Sequence, residues 1–521
     1  MKKIFSFQNI LNIRHINFWI ALTVLVGVAL RTVQFLGTSS MWFDELTGAL
    51  NIQSRTFYQL ATQSLDYNQV APVGFLLAEK LATYVFGESD EAFRFFPWLW
   101  SIASLSLFVL IAQRFLKSFY LLAAVILFAG AYSQWIYGGQ AKQYSGDVAF
   151  SIFLVWASLT IINKADLKKG MVWFLALGGS IAILSSLPAI PLSLFLLFIL
   201  SIAYFKYRLP LQKYPLLITG SLWLLSVVLH LCYAKFVIST TVKEAMSAYW
   251  SGGFPPLTSV ADYAGWFPYK IYKELNFFLF TWAPEIFAPL AYIGSALLIF
   301  SVFGIIYLVR NKKADTLILF SPLLIALVLA IANILPFDSR VCLYASWPFI
   351  ISGMAGIASL QQWQPRIFRP ALSVPLALCI ALTGISITLF VPFARPPFHS
   401  QPSQPVLREL KKQMQPGDIL FVYYRARHAV KFYGPREGIT DYRVGNDYKE
   451  INGYLRDIDS LRGHKRLWFF YTQWVPTKPY PDSMKKYMGT VIGKEIGHIP
   501  DPYGGVEDLE ATAYLYDLSG K

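Results

Sequence analysis

Residues 17–37 of the chain are NFWIALTVLVGVALRTVQFLG, an apolar run with one charged side chain, Arg31. About 20 apolar residues are enough for a helix to cross the hydrocarbon core of a bilayer. Similar runs recur at 93–113, 118–136, 144–163, 171–187, 189–205, 214–238, 284–309, 316–335, 342–361 and 370–392. The sequence therefore predicts an all-α membrane fold with about eleven transmembrane helices. Arg31 is costly in lipid, so we expect it to face protein or water.

The composition also indicates a membrane protein. Of the 521 residues, 55% are hydrophobic and only 14% are charged, whereas soluble domains carry about 25% charged residues. The net charge of +15 does not indicate nucleic-acid binding, because the sequence has no basic helix or aromatic stacking platform. The three cysteines and six scattered histidines give neither a disulfide framework nor zinc-ligand spacing. The oxygen atoms of acidic side chains would still be suitable ligands for a hard divalent cation.

The distribution of lysine and arginine predicts the orientation of the helices. These residues concentrate at the N-terminus and in the connections 114–117, 164–169, 206–213, 310–313 and 366–369. The short opposite connections contain only Lys142 and Arg340. Because cytoplasmic loops are enriched in lysine and arginine, we expect a multi-pass protein of the bacterial cytoplasmic (inner) membrane with a cytoplasmic N-terminus. The first run lacks a small-residue cleavage site, which favours a retained helix over a signal peptide.

Two long connections are predicted on the outer side. Residues 38–92 contain two amphipathic stretches, 43–62 and 72–87, that are typical of helices lying on a membrane surface. Residues 239–283 are rich in Trp, Tyr, Gly and Pro, a composition that favours a mobile lid. We assign both connections to a membrane module that covers residues 1–392.

The sequence from residue 393 onward changes character. Short apolar strands alternate with polar helices, and Pro416-Gly417-Asp418 forms a turn signal. We predict helices at 404–415 and 426–433 and strands at 419–424, 465–472 and 512–517. The sequence therefore predicts a small extracytoplasmic α/β domain over residues 393–521.

The first candidate catalytic group is the carboxylate pair in Met41-Trp42-Phe43-Asp44-Glu45, directly after the first helix. Near a medium of low dielectric constant, ionisation of a carboxyl group is disfavoured, which makes it a usable general base. The alternative is structural. Asp44 would cap the following amphipathic helix, and Glu45 would favour its positive end.

The connection between the third and fourth predicted helices contains the second candidate. It reads Gln140-Ala-Lys142-Gln143-Tyr144-Ser-Gly-Asp147 and carries a cation where the charge pattern predicts none. Lys142 is suited to pair with a phosphate, and Asp147 is suited to orient it. The alternative is a lysine that extends its amine to the membrane interface.

Two further arginines lie at predicted outer ends of helices. Arg340 follows Asp338-Ser339, and Tyr344 would share its helical face. Arg94 stands three residues after Glu91, a spacing that also suits a simple ion pair. Together with Asp44 and Lys142, these positions place carboxylates and cations on one side of the membrane. That side would suit a lipid substrate with a phosphate.

The sequence resembles the GT-C glycosyltransferases that use polyprenyl-phosphate sugars, a group that contains protein O-mannosyltransferases and the lipid A aminoarabinose transferase. The likeness covers about residues 17–392. It rests on Trp42-x-Asp44-Glu45, Gln69-x-Ala71-Pro72-x-Gly74-Phe75, Glu79-Lys80, Phe86-Gly87-x-Ser89, Arg94-x-x-Pro97, Ala141-Lys142-Gln143-Tyr144-Ser145-x-Asp147 and Ser339-Arg340.

The resemblance implies that Asp44 is the catalytic acidic residue of the first outer loop, where it would act as general base on the acceptor hydroxyl. Glu45 would orient the acceptor or help to bind a divalent cation. Lys142, Tyr144, Arg340, Arg94 and Asp147 would then bind the phosphate of the donor or the substrate. Relatives commonly have Tyr directly after the arginine that Arg340 matches, whereas this chain has Val341.

The resemblance also implies an activity. We expect inverting transfer of a sugar, a hexose or a pentose, from a polyprenyl-phosphate lipid to a hydroxyl of a protein, glycan or lipid acceptor. One alternative is a lipid-linked sugar flippase or transporter, and another is a noncatalytic subunit with the same fold. A transporter is expected to have internal repeats or helices broken in the membrane. The sequence predicts neither feature.

The predicted topology is tested by reporter fusions. Fusions after Arg114, Lys169 and Lys313 are expected to report the cytoplasm, because lysine and arginine mark those connections. A fusion after Lys521 is expected to report the periplasm, since eleven spans place the two termini on opposite sides. A cytoplasmic signal from the fusion after Lys521 would show that the number of spans is even.

Overall fold

The computed structural model of the chain describes residues 13–37, 40–164, 166–207, 213–280, 289–363, 373–382, 384, 400–472, 480–504 and 510–519. Contacts divide the chain into two compact units. The first unit comprises Met1–Leu36 and Arg55–Arg395. The second comprises Gly37–Ser54 and Pro396–Lys521, so the segment that contains Asp44 groups with the C-terminal part of the chain.

The first unit is helical wherever the structure shows regular elements. Its helices are Ile13–Gly37, Phe57–Thr62, Val73–Phe86, Asp90–Phe115, Ser118–Ala129, Tyr132–Gly138, Tyr144–Asn163, Lys169–Ser185, Ala189–Tyr207, Lys213–Phe236, Thr240–Tyr249, Val260–Phe280, Pro289–Asn311, Lys313–Leu319, Ser321–Ile331, Pro348–Trp363 and Ser373–Leu382, with short 3-10 turns at Ser251–Gly253 and Ser339–Ala345. A helix lies within each of the eleven apolar runs of the sequence. The prediction of an all-α, multi-pass membrane protein is therefore confirmed.

Not all of these helices are long enough to cross a bilayer. Five qualify by length and composition: Ile16–Gly37, Asp90–Phe115, Tyr144–Asn163, Tyr214–Phe236 and Tyr292–Asn311. Three bent pairs of helices raise the number to eight within the described residues. The exact number of eleven spans stays a prediction.

The bent pairs correct the expectation that the membrane helices are unbroken. Ser118–Ala129 and Tyr132–Gly138 meet at 43°, Lys313–Leu319 and Ser321–Ile331 at 55°, and Ser339–Ala345 and Pro348–Leu360 at 52°. Two of the breaks have a proline at the start of the second helix, Pro322 and Pro348. A proline lacks the amide hydrogen that would continue the preceding helix. The presence of broken helices therefore does not distinguish a glycosyltransferase from a transporter.

Arg31 stabilises the first of these breaks. Its guanidinium group donates to the carbonyl oxygens of Ala129 at 2.9 Å and Phe128 at 3.5 Å, and to the hydroxyl of Ser101 at 2.9 Å. The last carbonyl groups of a helix have no partner within that helix. Arg31 supplies one at the end of Ser118–Ala129, and its side chain is completely buried. The expectation that Arg31 faces protein is confirmed.

Replacing Arg31 tests this role. Arg31→Met is expected to lower the free energy of unfolding by about 1–3 kcal/mol, since buried carbonyl groups lose their donor. Thermal unfolding of the purified protein in detergent measures the change. The control is Arg310→Met, which removes an exposed arginine at the end of Pro289–Asn311. Equal melting temperatures for the two variants would contradict the assignment.

The second unit contains a five-stranded mixed sheet. Its strands are β1 Ile419–Val422, β2 Arg443–Val444, β3 Leu467–Thr472, β4 Lys494–Ile499 and β5 Ala511–Asp517, in the order β2-β1-β3-β5-β4. β1 pairs in parallel with β2 and β3, whereas β5 pairs antiparallel with β3 and β4. The helices are Phe43–Ser54, Ser403–Gln413, Arg427–Tyr433, Ile451–Asp459 and Tyr480–Lys486. The prediction of a small α/β fold is confirmed.

The centre of this sheet is apolar on both faces. All six residues of β3 are buried, including Trp468 and Phe470. The side chain of Asp418, just before β1, pairs with Arg466 at 2.7 Å and accepts a hydrogen bond from the indole of Trp468 at 3.0 Å. Burial raises the pKa of Asp418, but the hydrogen bonds from Arg466, the Gln415 amide and Trp468 outweigh it, so the pKa lies below its ordinary value.

Candidate active site

Asp44 and Glu45 lie in the first turn of the helix Phe43–Ser54 in the second unit. The Glu45 carboxylate is 1% exposed and accepts a hydrogen bond from the amide of Trp42 at 3.3 Å. In a capping box, the side chain of an acidic residue at the third helical position accepts this hydrogen bond from the backbone amide of the residue before the helix. Asp44 is inside the helix and only partly buried. The structural role at this helix start therefore belongs to Glu45, and Asp44 does not hold the capping position.

The helix Phe43–Ser54 packs against the helix Arg427–Tyr433 within the second unit. The ring of Phe43 meets the imidazole of His428 edge to face, with 5.4 Å between the ring centroids. His428 is 2% exposed. Burial, followed by the positive charges of Arg427 and Lys431, lowers the pKa of His428 to about 4. The histidine beside the predicted catalytic segment is therefore neutral at neutral pH.

The first unit contains a cavity of about 510 Å³. Most of its wall is apolar, from Val70, Leu187, Pro188, Ile238, Met246, Phe254, Ile334, Leu335, Pro336 and Val341. Polar side chains are contributed by Gln143, Tyr144, Asp147, Glu244, Ser247, Asn333 and Tyr344. A mostly apolar cavity with a few polar groups is the usual form of a ligand site.

Arg340 is placed at this cavity by two aromatic rings that line it. Its guanidinium carbon lies 5.5 Å from the ring centroid of Tyr144 and 5.5 Å from that of Trp250. An arginine over an aromatic face is held by the negative charge density of the ring. Trp250 comes from the segment 239–283, which also contributes Glu244 and Met246 to the wall. Arg340 thus lies between the start of the helix Tyr144–Asn163 and this segment.

Lys142 is held by the connection between the first two apolar runs. Its amine donates to the side-chain oxygen of Gln69 at 2.9 Å, and the residue is only 8% exposed. Gln69 follows Tyr67 and Asn68, whose φ angles of 61° and 53° are left-handed. Such a pair makes a sharp turn, which non-glycine residues adopt only at a cost. Lys142 therefore does not extend outward to an interface, as the alternative reading of the sequence proposed.

The remaining predicted residues differ in their surroundings. Asp147 and Tyr144 line the cavity, whereas the walls formed by described residues do not include Arg94, Lys142 or Arg340. Arg94 is completely buried in the helix Asp90–Phe115. The structure therefore places Tyr144 and Asp147 in the wall of one cavity, and Arg340 lies beside the cavity against the ring of Tyr144. Lys142 lies two residues before Tyr144 in the chain.

A charged cluster next to Arg340 was not predicted. Lys270 pairs with Asp338, which also accepts a hydrogen bond from Ser339. Burial, followed by the charge of Asp338, raises the pKa of the nearby Glu274 to about 8. Burial opposes ionisation of Asp338 as well, but the hydrogen bonds from Lys270 and Ser339 keep its pKa below the ordinary value. The only signal in the sequence was the spacing of Lys270 and Glu274, four residues apart on one helix.

The described residues show no metal centre. Among them, no group of three or more His, Cys, Asp or Glu side chains is arranged to hold a metal ion.

Comparison with known proteins identifies the fold by structure. No family model matches the sequence, and no curated protein matches it. The structure is similar to that of ArnT from Cupriavidus metallidurans bound to undecaprenyl phosphate. The TM-score is 0.50 at 12% identity, and the match covers 95% of this chain and 98% of that one. The chain has the GT-C fold.

A second solved structure supports the same fold. The oligosaccharyltransferase of Archaeoglobus fulgidus in its apo form matches with a TM-score of 0.50 and 11% identity. The match covers 96% of this chain and 74% of that one. The resemblance to GT-C glycosyltransferases that the sequence indicated is confirmed at the level of the fold.

The neutral state of His428 predicts how stability depends on pH. The unfolded chain binds a proton to histidine near a pH of about 6.5, whereas folded His428 binds one only near 4. Unfolding therefore takes up a proton between these values, and the free energy of unfolding falls as the pH is lowered across this interval. His428→Gln is expected to flatten this dependence. Melting temperatures of the full-length protein between pH 7 and about 4 measure it, and an equally steep loss in the variant would refute the assignment.

Proposed function

We propose that the chain is an inverting glycosyltransferase that takes its sugar from a polyprenyl-phosphate lipid. The observation that carries the proposal is the mostly apolar cavity beside Arg340. Its apolar wall suits a hydrocarbon chain, and the guanidinium group suits a phosphate. ArnT, which shares the fold, has undecaprenyl phosphate bound in its crystal structure.

In the proposed mechanism, the donor is bound by the first unit. The polyprenyl chain occupies the cavity, and its phosphate lies on Arg340 and Lys142, with Tyr144 and Asp147 at the cavity wall. Arg340 is already fixed by Tyr144 and Trp250. A charged group that is oriented before the reaction does not have to reorganise when charge develops on the leaving phosphate. Arg94 supports the substrate-binding region as a buried positive charge.

Asp44 acts as the general base. It removes the proton from the acceptor hydroxyl while the hydroxyl oxygen forms a bond to the anomeric carbon of the sugar. The bond between that carbon and the phosphate oxygen breaks, and its electron pair leaves with the polyprenyl phosphate. A direct displacement of this kind inverts the anomeric configuration. Glu45 assists by fixing the start of the helix that carries Asp44, and the acceptor is a hydroxyl of a protein, a glycan or a lipid.

We place this reaction on the outer face of the bacterial cytoplasmic membrane. The lysine and arginine pattern of the sequence supports a cytoplasmic N-terminus and an extracytoplasmic C-terminal domain. The outer segment 239–283, which contributes Trp250 and Glu244 to the cavity, acts as a lid over the bound donor. The enzyme module covers residues 1–392, of which Gly37–Ser54 group by their contacts with the C-terminal unit, and the soluble domain covers 393–521.

A second candidate function is transport of a lipid-linked sugar. The three bent pairs of helices favour it, because transporters use broken helices at their binding sites. A transporter moves the donor without breaking the bond between sugar and phosphate. Cleavage of the bond between sugar and phosphate therefore distinguishes a glycosyltransferase from a transporter.

Asp44→Asn tests the assignment of the base. The amide is nearly isosteric but cannot accept the proton, so turnover is expected to fall at least about a hundredfold while donor binding is retained. Turnover is measured with a panel of radiolabelled undecaprenyl-phosphate hexoses and pentoses, and binding with undecaprenyl phosphate. The matched control is Asp66→Asn, which alters an exposed carboxylate of the same outer loop. Wild-type turnover in Asp44→Asn would show that another carboxylate, Glu45 or Asp147, is the base.

Lys142→Ala tests the binding of the phosphate. The phosphate is present before and after the reaction, so the variant is expected to weaken binding of undecaprenyl phosphate as well as turnover. Lys235→Ala, which removes an exposed lysine at the end of Lys213–Phe236, serves as the control. Unchanged affinity in Lys142→Ala would contradict the proposed contact.

A further inference from the structure

The segment that leads into Asp44 is held by residues of the C-terminal part of the chain. Within the second unit, the amide of Met41 donates to the hydroxyl of Tyr433 at 2.6 Å, and the amide of Phe43 donates to the side-chain oxygen of Gln401 at 2.9 Å. These partners are 392 and 358 residues away along the chain. Two of the three residues that precede Asp44 are therefore fixed by the soluble fold.

The bonded groups lie where a helix most needs partners. Phe43 is the first residue of its helix, and the first amides of a helix have no carbonyl partner within it. Gln401 supplies that partner for Phe43, and Glu45 supplies one for Trp42. The direction in which the helix starts, and with it the position of the second residue, Asp44, is therefore determined by these bonds.

Both partners are themselves held rigidly. Tyr433 is completely buried at the end of the helix Arg427–Tyr433. Gln401 is 3% exposed and has a φ angle of 52°, a left-handed conformation that a glutamine rarely adopts. Such a conformation persists only where the surroundings impose it. The oxygen that accepts from Phe43 is therefore held in place by the fold.

A third bond extends this connection to a charged pair. The amide of Gln404 donates to the hydroxyl of Ser40 at 3.1 Å, and the Gln404 side chain donates to Glu437 at 2.8 Å. Glu437 in turn pairs with Arg408 at 3.0 Å. Ser40, Met41 and Phe43 are thus bonded to three separate points of the C-terminal fold.

We propose that Tyr433 and Gln401 are positioning residues for Asp44, and that the C-terminal unit serves to hold the catalytic carboxylate in place. This inference rests on the proposed function of Asp44. It assigns a role in the reaction to residues that do not touch the substrate. A displacement of about 1 Å in a reacting group is enough to cost up to a hundredfold in rate.

The first test uses variants that remove single bonds. Tyr433→Phe keeps the buried ring but loses the hydroxyl that accepts from Met41. Gln401→Asn is too short to reach Phe43, while asparagine tolerates the left-handed backbone. Each variant is expected to lower kcat about tenfold or more and to leave the affinity for undecaprenyl phosphate unchanged, because the donor is bound by the first unit. Gln401→Glu keeps an acceptor oxygen at the same reach. It is therefore expected to retain most of the turnover that Gln401→Asn loses.

The matched control separates positioning from loss of stability. Tyr454 is a tyrosine of the same unit that is 2% exposed, and its hydroxyl bonds to Tyr448 rather than to the segment before Asp44. Hydrogen exchange of the peptide that covers residues 40–46 in the full-length protein is expected to quicken in Tyr433→Phe and not in Tyr454→Phe. Each variant is assayed at the same interval below its own melting temperature, so that differences in stability do not affect the comparison.

The outcomes distinguish this inference from the proposed function. Wild-type turnover in Asp44→Asn would overturn the base assignment. Loss of turnover in Asp44→Asn together with wild-type kcat in Tyr433→Phe and Gln401→Asn would overturn the positioning role alone. An equal loss in Tyr454→Phe would also overturn it, because the effect would then reflect the stability of the domain.

Discussion

The structure depends on one constraint: polar backbone groups that are removed from water must have partners. At the break after Ala129, the carbonyl oxygen of Ala129 accepts from the guanidinium of Arg31, which also donates to the carbonyl oxygen of Phe128. Unsatisfied backbone groups are very costly in a membrane. With this break supported, the chain turns through Tyr132–Gly138 and returns at Lys142 and Tyr144. Two of the residues proposed to bind the donor thus follow, along the chain, the helix break that Arg31 supports.

The same constraint applies at the start of the helix that carries Asp44. There the amides of Met41, Trp42 and Phe43 donate to the side chains of Tyr433, Glu45 and Gln401, respectively. In both places, side chains supply hydrogen-bond partners to backbone groups at an irregular point of the chain. The donor cavity is lined by residues of the first unit, whereas the proposed base, Asp44, belongs by its contacts to the second unit.

The sequence predicted the helices well because their signal is local. Apolar runs such as 17–37 and 144–163 are long enough to identify without reference to the rest of the chain. The breaks within helices were not predicted from the sequence. The run 118–136 is mostly apolar and was read as one helix, whereas the structure bends it at Gly130-Ala131. The strands β2 and β4 were missed for a similar reason. β2 has two residues, and most of β4 is exposed, so neither has the apolar alternation of a buried strand.

The candidate site was predicted as separate pieces. Asp44, Lys142 and Arg340 stand out locally because charges are rare beside apolar runs. Their surroundings come from residues far apart in sequence, as when Tyr144 and Trp250 enclose Arg340 or Lys270 pairs with Asp338. Such long-range pairs carry no local pattern. The assignment of Asp44 to the C-terminal unit was unpredictable on the same ground, because its segment precedes that unit by several hundred residues.

In the proposed reaction, the protein breaks the bond between a sugar and a polyprenyl phosphate. The reaction can be followed with the purified protein in liposomes that contain undecaprenyl phosphate sugars labelled in the sugar, with bacterial membrane extract as the source of acceptor. Undecaprenyl phosphate is expected to be released, and the label is expected in an acceptor with inverted anomeric configuration. Movement of the labelled lipid to the other leaflet with its sugar still attached, and no release of undecaprenyl phosphate, would contradict the proposed reaction.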